Sequence, residues 1–396
     1  MRILQINHPR EIKRLMQDIQ VDPYGIKIML PKAITHLLKL DSVSNITANI
    51  LKQEMLSLGG DAAISKGALT GAAKKTDCLL MGTLSQFDRL NEKLKIQPFG
   101  LDKIGKKIAE NLKNFQLDKF TLRAGKYKLR LGSRTFIMGI VNVTPDSFSG
   151  DGLLLASKSS AVEFAKELIK DGADIIDVGG ESSRPGAKPV SLKEELTRVV
   201  PVIKALVKKV SVPVSVDTCK PEVAKQALDN GAAIVNNIAG LRNAEMARLI
   251  SKYKAGVVLM HMKGNPGNMQ IDPRYTSLID EILQYLKGAI ERAEDAGIGR
   301  ERIIIDPGIG FGKTQPDNLK IVNHLSEFKI LGVPILIGTS RKSFIGKILN
   351  TEARNRIFGT VSSCVLAAKN GAHIVRVHDV LEVKQALKIS DAVNKS

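Results

Sequence analysis

The sequence predicts an α/β protein: a (β/α)8 TIM barrel preceded by a small α+β N-terminal domain. Three observations carry that expectation. From Phe136 onward, short apolar runs alternate with amphipathic helical stretches of about 10 to 20 residues, the signature of βαβ units. This region spans about 260 residues, close to the ~250 typical of such a barrel. Eight runs can be counted, and polar residues stand at or just beyond their C-terminal ends.

The expected strands are Phe136–Asn142, Asp174–Val178, Val214–Asp217, Ala233–Asn236, Gly256–Met260, Ile303–Asp306, Pro334–Ile337 and His373–Val377. Between them, Leu278, Ile282, Leu286 and Ile290 recur on one helical face. Pro221 suits a first helical turn, where its missing N–H costs little. Gly172, Gly231, Gly297 and Gly371 fall where helices should stop. A doubly wound open sheet is the alternative, but no G-x-G-x-x-G follows the first strand.

At 396 residues the chain should hold two domains, 1–125 and 126–396. In the first, helices are expected near Pro9–Gln20, Pro31–Leu40, Asn45–Leu58, Ser85–Lys95 and Asp102–Asn114, with strands at Ile26–Leu30 and Cys78–Met81. The small-residue stretch from Lys66 to Ala72 completes no phosphate-binding fingerprint. Packing or oligomerisation is the plain reading of this region. Residues 121–135 form a basic connector, with Tyr127–Leu131 alternating in period two as an edge hairpin would.

The hydrophobic fraction of 43% supports a sizeable core, and with 4% aromatics and no Trp that core is mainly aliphatic. Cys78, Cys219 and Cys364 form no C-x-x-C pair, which speaks against a zinc knuckle or a disulfide framework and fits a reducing cytoplasm. Met1–Ile12 lacks the apolar core of a signal peptide, and no run approaches the roughly 18 apolar residues of a membrane span. The net charge of +19 raises the question of nucleic acid. Its lysines are dispersed, so solvated faces that also attract small anionic substrates are the better reading.

In a barrel, the polar ends of the strands converge on one mouth. Here they read Asn142, Gly179-Gly180-Glu181, Asp217, Asn236, His261, Asp306, Lys342 just beyond strand seven, and Arg376 with His378 at strand eight. Any one could be an innocent cap; the full set is harder to explain that way. Asp217, Asn236 and Asp306 suit the donor-rich edge of a guanidine-like heterocycle. Arg376 can lay its guanidinium on an aromatic ring, and Lys342 can reach a ring carbonyl. Asn142, Ser183, Arg376 and His378 have the character of an anion and metal site. A helix beginning near Ser343 offers N–H groups to a second anion.

These segments resemble the dihydropteroate synthase family. The matching stretches are M-G-I-V-N-V-T-P-D-S-F-S-G-D-G from Met138, D-V-G-G-E-S-S-R-P-G-A from Asp177, V-S-V-D-T from Val214 and V-N-N-I-A-G from Val235. H-M-K-G-N-P from His261, I-D-P-G-I-G-F-G-K-T from Ile305, G-T-S-R-K-S-F-I-G from Gly338 and R-V-H-D-V from Arg376 complete the set. The resemblance implies that 6-hydroxymethyl-7,8-dihydropterin diphosphate condenses with p-aminobenzoate, releasing pyrophosphate. It implies Asp217, Asn236 and Asp306 on the pterin edge and Lys342 at its carbonyl side. Arg376 would stack on the pterin and, with His378, Asn142 and Ser183, hold the diphosphate. Mg2+ would bridge diphosphate oxygens and Asn142, with Asp146. Phe148, Pro145 and Pro185 would flank the aminobenzoate ring, with Arg184 beside them and the carboxylate near Ser343. Loops 143–156 and 181–191 would close over the pocket, and family members pair through barrel helices, so a homodimer is expected.

Such a reaction needs leaving-group stabilisation more than a strong base, so His378 reads as a diphosphate ligand. There are departures from the family pattern. Ser183 stands where Thr is common. Asn237 replaces a usual Asp. Cys219 replaces an aromatic and is expected to be a buried, inert thiol. Two other classes compete: a pterin-binding methyltransferase acting on methyltetrahydrofolate and a corrinoid protein, and a non-catalytic pterin or nucleic-acid binder. The S-R-K-S, R-V-H-D and Ser182–Pro185 segments favour the synthase.

Overall fold

A computed structural model describes residues 1–4, 6, 8–143, 158–181 and 189–394. The chain divides into two units, Met1–Asn114 and Phe115–Ser396.

The first unit opens with α1 (Pro9–Asp18) and α2 (Pro23–Met29), then runs β1 (Thr35–Ser44), α3 (Asn45–Ser57), β2 (Asp61–Ile64), α4 (Lys66–Thr70), β3 (Lys75–Thr83), α5 (Leu84–Leu94) and α6 (Leu101–Phe115). Its antiparallel sheet has the order β1-β3-β2. Leu51 and Met55 of α3, Phe87 and Leu90 of α5, and Ile108 of α6 pack with Leu80 of β3 into a core of its own.

Two expectations here are overturned. The stretch Ile26–Leu30, expected as a strand, is largely the second half of α2. The Asp22 side chain accepts from Tyr24 N (2.8 Å) and Pro23 occupies the first turn, a helix start that outweighs the β-rich Ile26-Lys27-Ile28. The expected helix Pro31–Leu40 is instead mostly β1, in which His36, Leu38 and Leu40 are half-buried while Thr35, Leu37 and Lys39 are exposed. Pairing with β3 supplies the hydrogen bonds that helix propensity alone would have placed locally. The four-residue β2 was not expected at all.

The second unit begins with the hairpin β4 (Phe120–Ala124) and β5 (Tyr127–Leu131). Then come β6 (Phe136–Asn142), β7 (Ile175–Gly179), β8 (Val214–Asp217), β9 (Ile234–Asn237), β10 (Gly256–Met260), β11 (Ile303–Asp306), β12 (Leu336–Ile337) and β13 (Ile374–Val377). Each lies within two residues of its expected bounds. All pair in parallel in the order β11-β10-β9-β8-β7-β6-β13-β12. Ile305 N donates to Pro334 O (3.0 Å) and Ile305 bridges Ile335, which closes the sheet into a barrel. The helices are α7 (Lys158–Asp171), α8 (Leu192–Leu206), α9 (Pro221–Asp229), α10 (Ala244–Lys252), α11 (Leu278–Asp295), α12 (Gln315–Asn323), α13 (Ser343–Leu349), α14 (Ile357–Lys369) and α15 (Val380–Val393).

Side chains alternate across each strand. Ile137, Val141, Ile176 and Val178 face the helices, where Leu278, Ile282, Leu286 and Ile290 of α11 belong to the same buried layer. Met138, Ile175, Val258, Ile304 and Ile374 form a separate layer with the hairpin's Leu122, Ala124 and Leu131. The hairpin is therefore not an edge of the sheet but a floor at the N-terminal ends of the strands, and Gly125 N donates to Lys254 O just ahead of β10 (3.1 Å). Burying a leucine this fully contributes roughly 2 kcal/mol. Both hairpin strands fall in the second unit, so the division comes ahead of the expected 125/126 boundary. With the floor filled, the opposite end is the open one.

Candidate active site

Parallel register sets the strand ends side by side. Asn142 aligns with Gly179, Gly179 with Asp217, and Asp217 with Asn236. Asp306 ends β11 beside Met260. Arg376 starts deeper, level with Met138 four residues before Asn142, and its length lets the guanidinium rise to the same mouth. Asp217, Asn236, Asp306, Lys342, Arg376 and His378 line one cup, over apolar walls that include Ile140, Met260 and Phe311. All six were expected from the sequence, and Asn142 ends the adjoining strand.

The charged groups brace one another. Arg376 Nε donates to Asp177 Oδ2 (2.7 Å) and a terminal nitrogen donates to Asp217 Oδ2 (2.8 Å). Asn236 Nδ2 donates to the same Asp177 oxygen (3.0 Å). Asp177 is fully buried, and its Oδ1 finds no hydrogen-bond partner among the described residues. It thus orients two site residues at once. Sequence reasoning quoted Asp177 without giving it a role. The available signal was a carboxylate inside an otherwise apolar strand, which must find a partner to be buried there.

Burial raises the Asp217 pKa to about 7; Arg376 pulls it down, while Asp177 and Glu195 push it further up. Burial likewise raises Asp306, against the Gly308 N–H that bonds its Oδ1 (2.7 Å) and the nearby Lys342. Lys342 is pushed down to about 8, first by burial, with Asp306 opposing and Arg376 adding to the fall. Its ammonium donates to Ile309 O (2.7 Å) and lies 4.2 Å from the Phe311 ring centre. Burial works against the Arg376 charge as well, but Asp177 and Asp217 hold its pKa above the usual value. One mouth therefore carries acids held up and a lysine held down, the pattern of a functional site.

Two segments after β12 and β13 are fastened together. The Ser340 hydroxyl lies 3.1 Å from His378 Nδ1 and accepts from His378 N (3.2 Å). Arg341 binds Asp379 through two nitrogens (3.1 and 2.5 Å). Arg341 holds a left-handed φ of 55°, a strained conformation for a long side chain, one residue before Lys342. Its amide bonds the Thr360 hydroxyl (3.0 Å) and its carbonyl accepts from Arg356 (2.8 Å), which overdetermines the turn. Ser343 opens α13, a helix of seven residues.

Four expectations need correction or placing. His261, counted among the polar strand ends expected at the mouth, does not line the cup: its ring is buried, T-stacked on Tyr285 (4.8 Å) and bonded to Lys313 (2.8 Å). Cys219 is exposed at its surface and not buried. Even so, desolvation in the crowded mouth, then Asp217, Glu181 and Glu195, push its thiol up to about 12, so it stays protonated. Asp146, Phe148, Ser183, Arg184 and Pro185, with Pro145, lie outside the described residues. Asn237 is buried and satisfied: Nδ2 donates to Thr218 O (3.3 Å) and Oδ1 accepts from Leu241 N (3.1 Å). The first bond needs a donor, so an amide serves this position.

Comparison with known proteins agrees with this geometry. Residues 138–378 match the family model described as pterin binding enzyme. The chain is 48% identical over 274 residues to the dihydropteroate synthase of Clostridium beijerinckii, covering 69% of this chain and 99% of that protein. It is 40% identical over 377 residues, 95% of this chain, to a Halobacterium salinarum protein named "Probable bifunctional folylpolyglutamate synthase/dihydropteroate synthase", of which it covers 45%. That match takes in most of the N-terminal unit, which the bacterial match leaves out. Among solved structures, Xanthomonas albilineans dihydropteroate synthase with 4-aminobenzoic acid is 42% identical, with a TM-score of 0.65, covering 70% of this chain and 99% of that one. The chain belongs to the dihydropteroate synthases, within the pterin-binding enzyme family.

Proposed function

We propose that the cup holds the pterin diphosphate and that its mouth receives the aryl amine, with the roles divided as follows. The reaction joins 6-hydroxymethyl-7,8-dihydropterin diphosphate and p-aminobenzoate. The bond from the exocyclic carbon to the diphosphate breaks, the amine nitrogen bonds that carbon and loses a proton, and 7,8-dihydropteroate and pyrophosphate leave. It is a step of tetrahydrofolate biosynthesis. One observation carries the assignment of roles: Asp217, Asn236 and Asp306 offer acceptors and an amide in one cup, together with the cations Lys342 and Arg376.

In this reading Asp306, Asp217 and Asn236 take the N–H donors of the pterin edge. Lys342 meets the ring carbonyl and the neighbouring ring nitrogen. Arg376, tethered by Asp177, stacks on the ring and reaches the diphosphate with His378, Asn142 and Ser183. An electron-rich pterin tolerates positive charge at its exocyclic carbon, so these groups act mainly by stabilising the departing oxygens, each by about 3 kcal/mol where well placed. The Ser340 hydroxyl beside Nδ1 orients the His378 ring toward that ligand role. Phe148, Pro185 and Arg184 take the aminobenzoate, with its carboxylate near Ser343.

No cluster of three His, Cys, Asp or Glu that could hold a metal is found among the described residues. Asn142, and Asp146 beyond the described residues, are oxygen donors of the kind Mg2+ takes, and they would hold it together with substrate oxygens. Bound there, the ion would neutralise charge on the diphosphate.

A homodimer through the barrel helices is favoured by α13 and α14, where Ile348 (51% exposed), Phe358 (81%) and Leu366 (54%) face outward. We assign no membrane or nucleic-acid partner, and we place the reaction in the cytoplasm. No helix among the described residues is long and apolar enough to cross a membrane. The test is a coupled assay on the purified chain. Pyrophosphate should appear with dihydropteroate only when pterin diphosphate and p-aminobenzoate are both present. Methyl transfer from methyltetrahydrofolate to a corrinoid protein would reverse the reading.

A further inference from the structure

The turn between β11 and α12, residues 307–313, is pressed between two parts of the barrel mouth. Gly308, Gly310 and Gly312 all have positive φ (72°, 81° and 64°). A Cβ at Gly308 would stand 2.0 Å from His261 O, and one at Gly312 2.6 Å from Lys263 O. On its other side the turn supports Lys342, through Ile309 O and the Phe311 ring. Its polar groups are tied down by Asn318 Oδ1 on Gly310 N (2.7 Å) and by Tyr275 OH on Gly312 O (2.7 Å).

Lys313 ends this turn. It is 2% exposed, and its Nζ lies 2.8 Å from His261 Nδ1 and 3.0 Å from Phe311 O. The hydrogen bonds found for it thus run to two neutral groups, an expensive place for an ammonium. Because a charged Lys only donates, His261 must accept at Nδ1 and carry its own proton on Nε2. We infer that Lys313 is a positioning residue for the reaction: clamped between the His261 ring and the Phe311 carbonyl, it locks the 307–313 turn, which in turn holds the Lys342 side chain against the cup. The inference rests on the reading of the cup as the pterin site.

The charge of Lys313 has a second consequence. Asp306, Lys342, Asp317 and Lys263 all act on it, and burial brings its pKa down to about 7. It favours ionised Asp306, and Lys342 in turn disfavours the Lys313 ammonium. Lys342 also faces Asp306, Asp217 and Arg376, with His378 lining the same cup. His261 is held neutral by burial and by Lys313, Lys263 and Arg242.

Two substitutions separate the locking from the charge. Lys313→Met removes both, whereas Lys313→Gln keeps a donor for Phe311 O and removes only the charge. Affinity for 6-hydroxymethylpterin would be titrated from pH 6 to 10 for the wild type and both variants, with thermal melting and the KM for p-aminobenzoate alongside. Lys313→Met should bind the pterin about tenfold more weakly at pH 7, the worth of one buried hydrogen bond, with little change in the amine KM. Lys313→Gln should recover most of that loss. Should Lys313→Met fail to fold, Tyr275→Phe decides instead: freeing the Gly312 carbonyl loosens the same turn and should weaken pterin binding several-fold with the amine KM unchanged. A folded Lys313→Met or Tyr275→Phe variant with wild-type pterin affinity overturns the inference. A wild type that does not bind the pterin overturns the reading of the cup itself.

Discussion

The two units are built from the same materials and differ in where they put their charges. The N-terminal unit has a sheet, covering helices and a buried core, yet its acids and bases spread over the outside. A concavity bordered by Lys39, Ser42, Ser65, Lys75 and Asp77 is open to solvent. The Lys39–Asp41 pair there is 2.5 Å long and nearly half exposed at both ends. Such pairs contribute little to stability. In the barrel, the Asp177–Arg376–Asp217 chain is mostly buried, at 0, 20 and 14% exposure. Holding it there costs desolvation that an apolar core would not incur. The difference teaches where to look for chemistry: at charges that a fold keeps although they do not improve its stability.

Substitutions can break or sharpen that contrast. Asp306→Ala carries the largest expected effect. Losing two charge-assisted bonds to the pterin should cost about 4 kcal/mol, roughly a thousandfold in affinity by calorimetry. Unchanged affinity would remove Asp306 from the site. Next is Arg376→Ala, which should weaken binding of the diphosphate about a hundredfold more than binding of the bare pterin; equal losses would contradict the clamp.

The pH dependence should be smaller. Asp217, held up to about 7, accepts two charge-assisted donors only when ionised, so pterin affinity falls as pH drops below that value. Lys342, held down to about 8, donates its charge only when protonated, so affinity falls again above it. A narrow bell with its top between the two values is expected, losing about tenfold per pH unit on each side. A flat profile from pH 6 to 9 would show that neither group titrates in the site. The smallest effect belongs to the other unit. Lys39→Ala and Asp77→Ala should change stability by less than about 0.5 kcal/mol and leave turnover alone.

The barrel was legible because its strands are short, apolar and closed by a polar residue, as in Ile303–Asp306 with its three isoleucines before the acid. The register that gathers those acids follows once the ring closes. The N-terminal unit was less legible for a physical reason. Thr35–Ser44 is a strand only because β3 pairs with it, and no local pattern announces a partner some forty residues away. Asp22-Pro23 did announce a helix, against the β-rich Ile26-Lys27-Ile28. In the site, the residues that end strands were readable from their position. Asp177, Ser340 and Lys313 were not, because they act through a neighbour's side chain and only coordinates reveal the neighbour. His261 shows the converse: its place was read correctly, but its ring turns under a glycine-rich turn and not into the cup.

The most direct test sets the two units against each other by removing one. Residues 115–396, which retain the hairpin floor, would be assayed beside the full chain for pyrophosphate released from pterin diphosphate in the presence of p-aminobenzoate. The account predicts turnover by the barrel unit within a few-fold of the full chain. A barrel unit that melts cooperatively and binds the pterin, yet releases no pyrophosphate, would contradict it and place part of the machinery in the first unit.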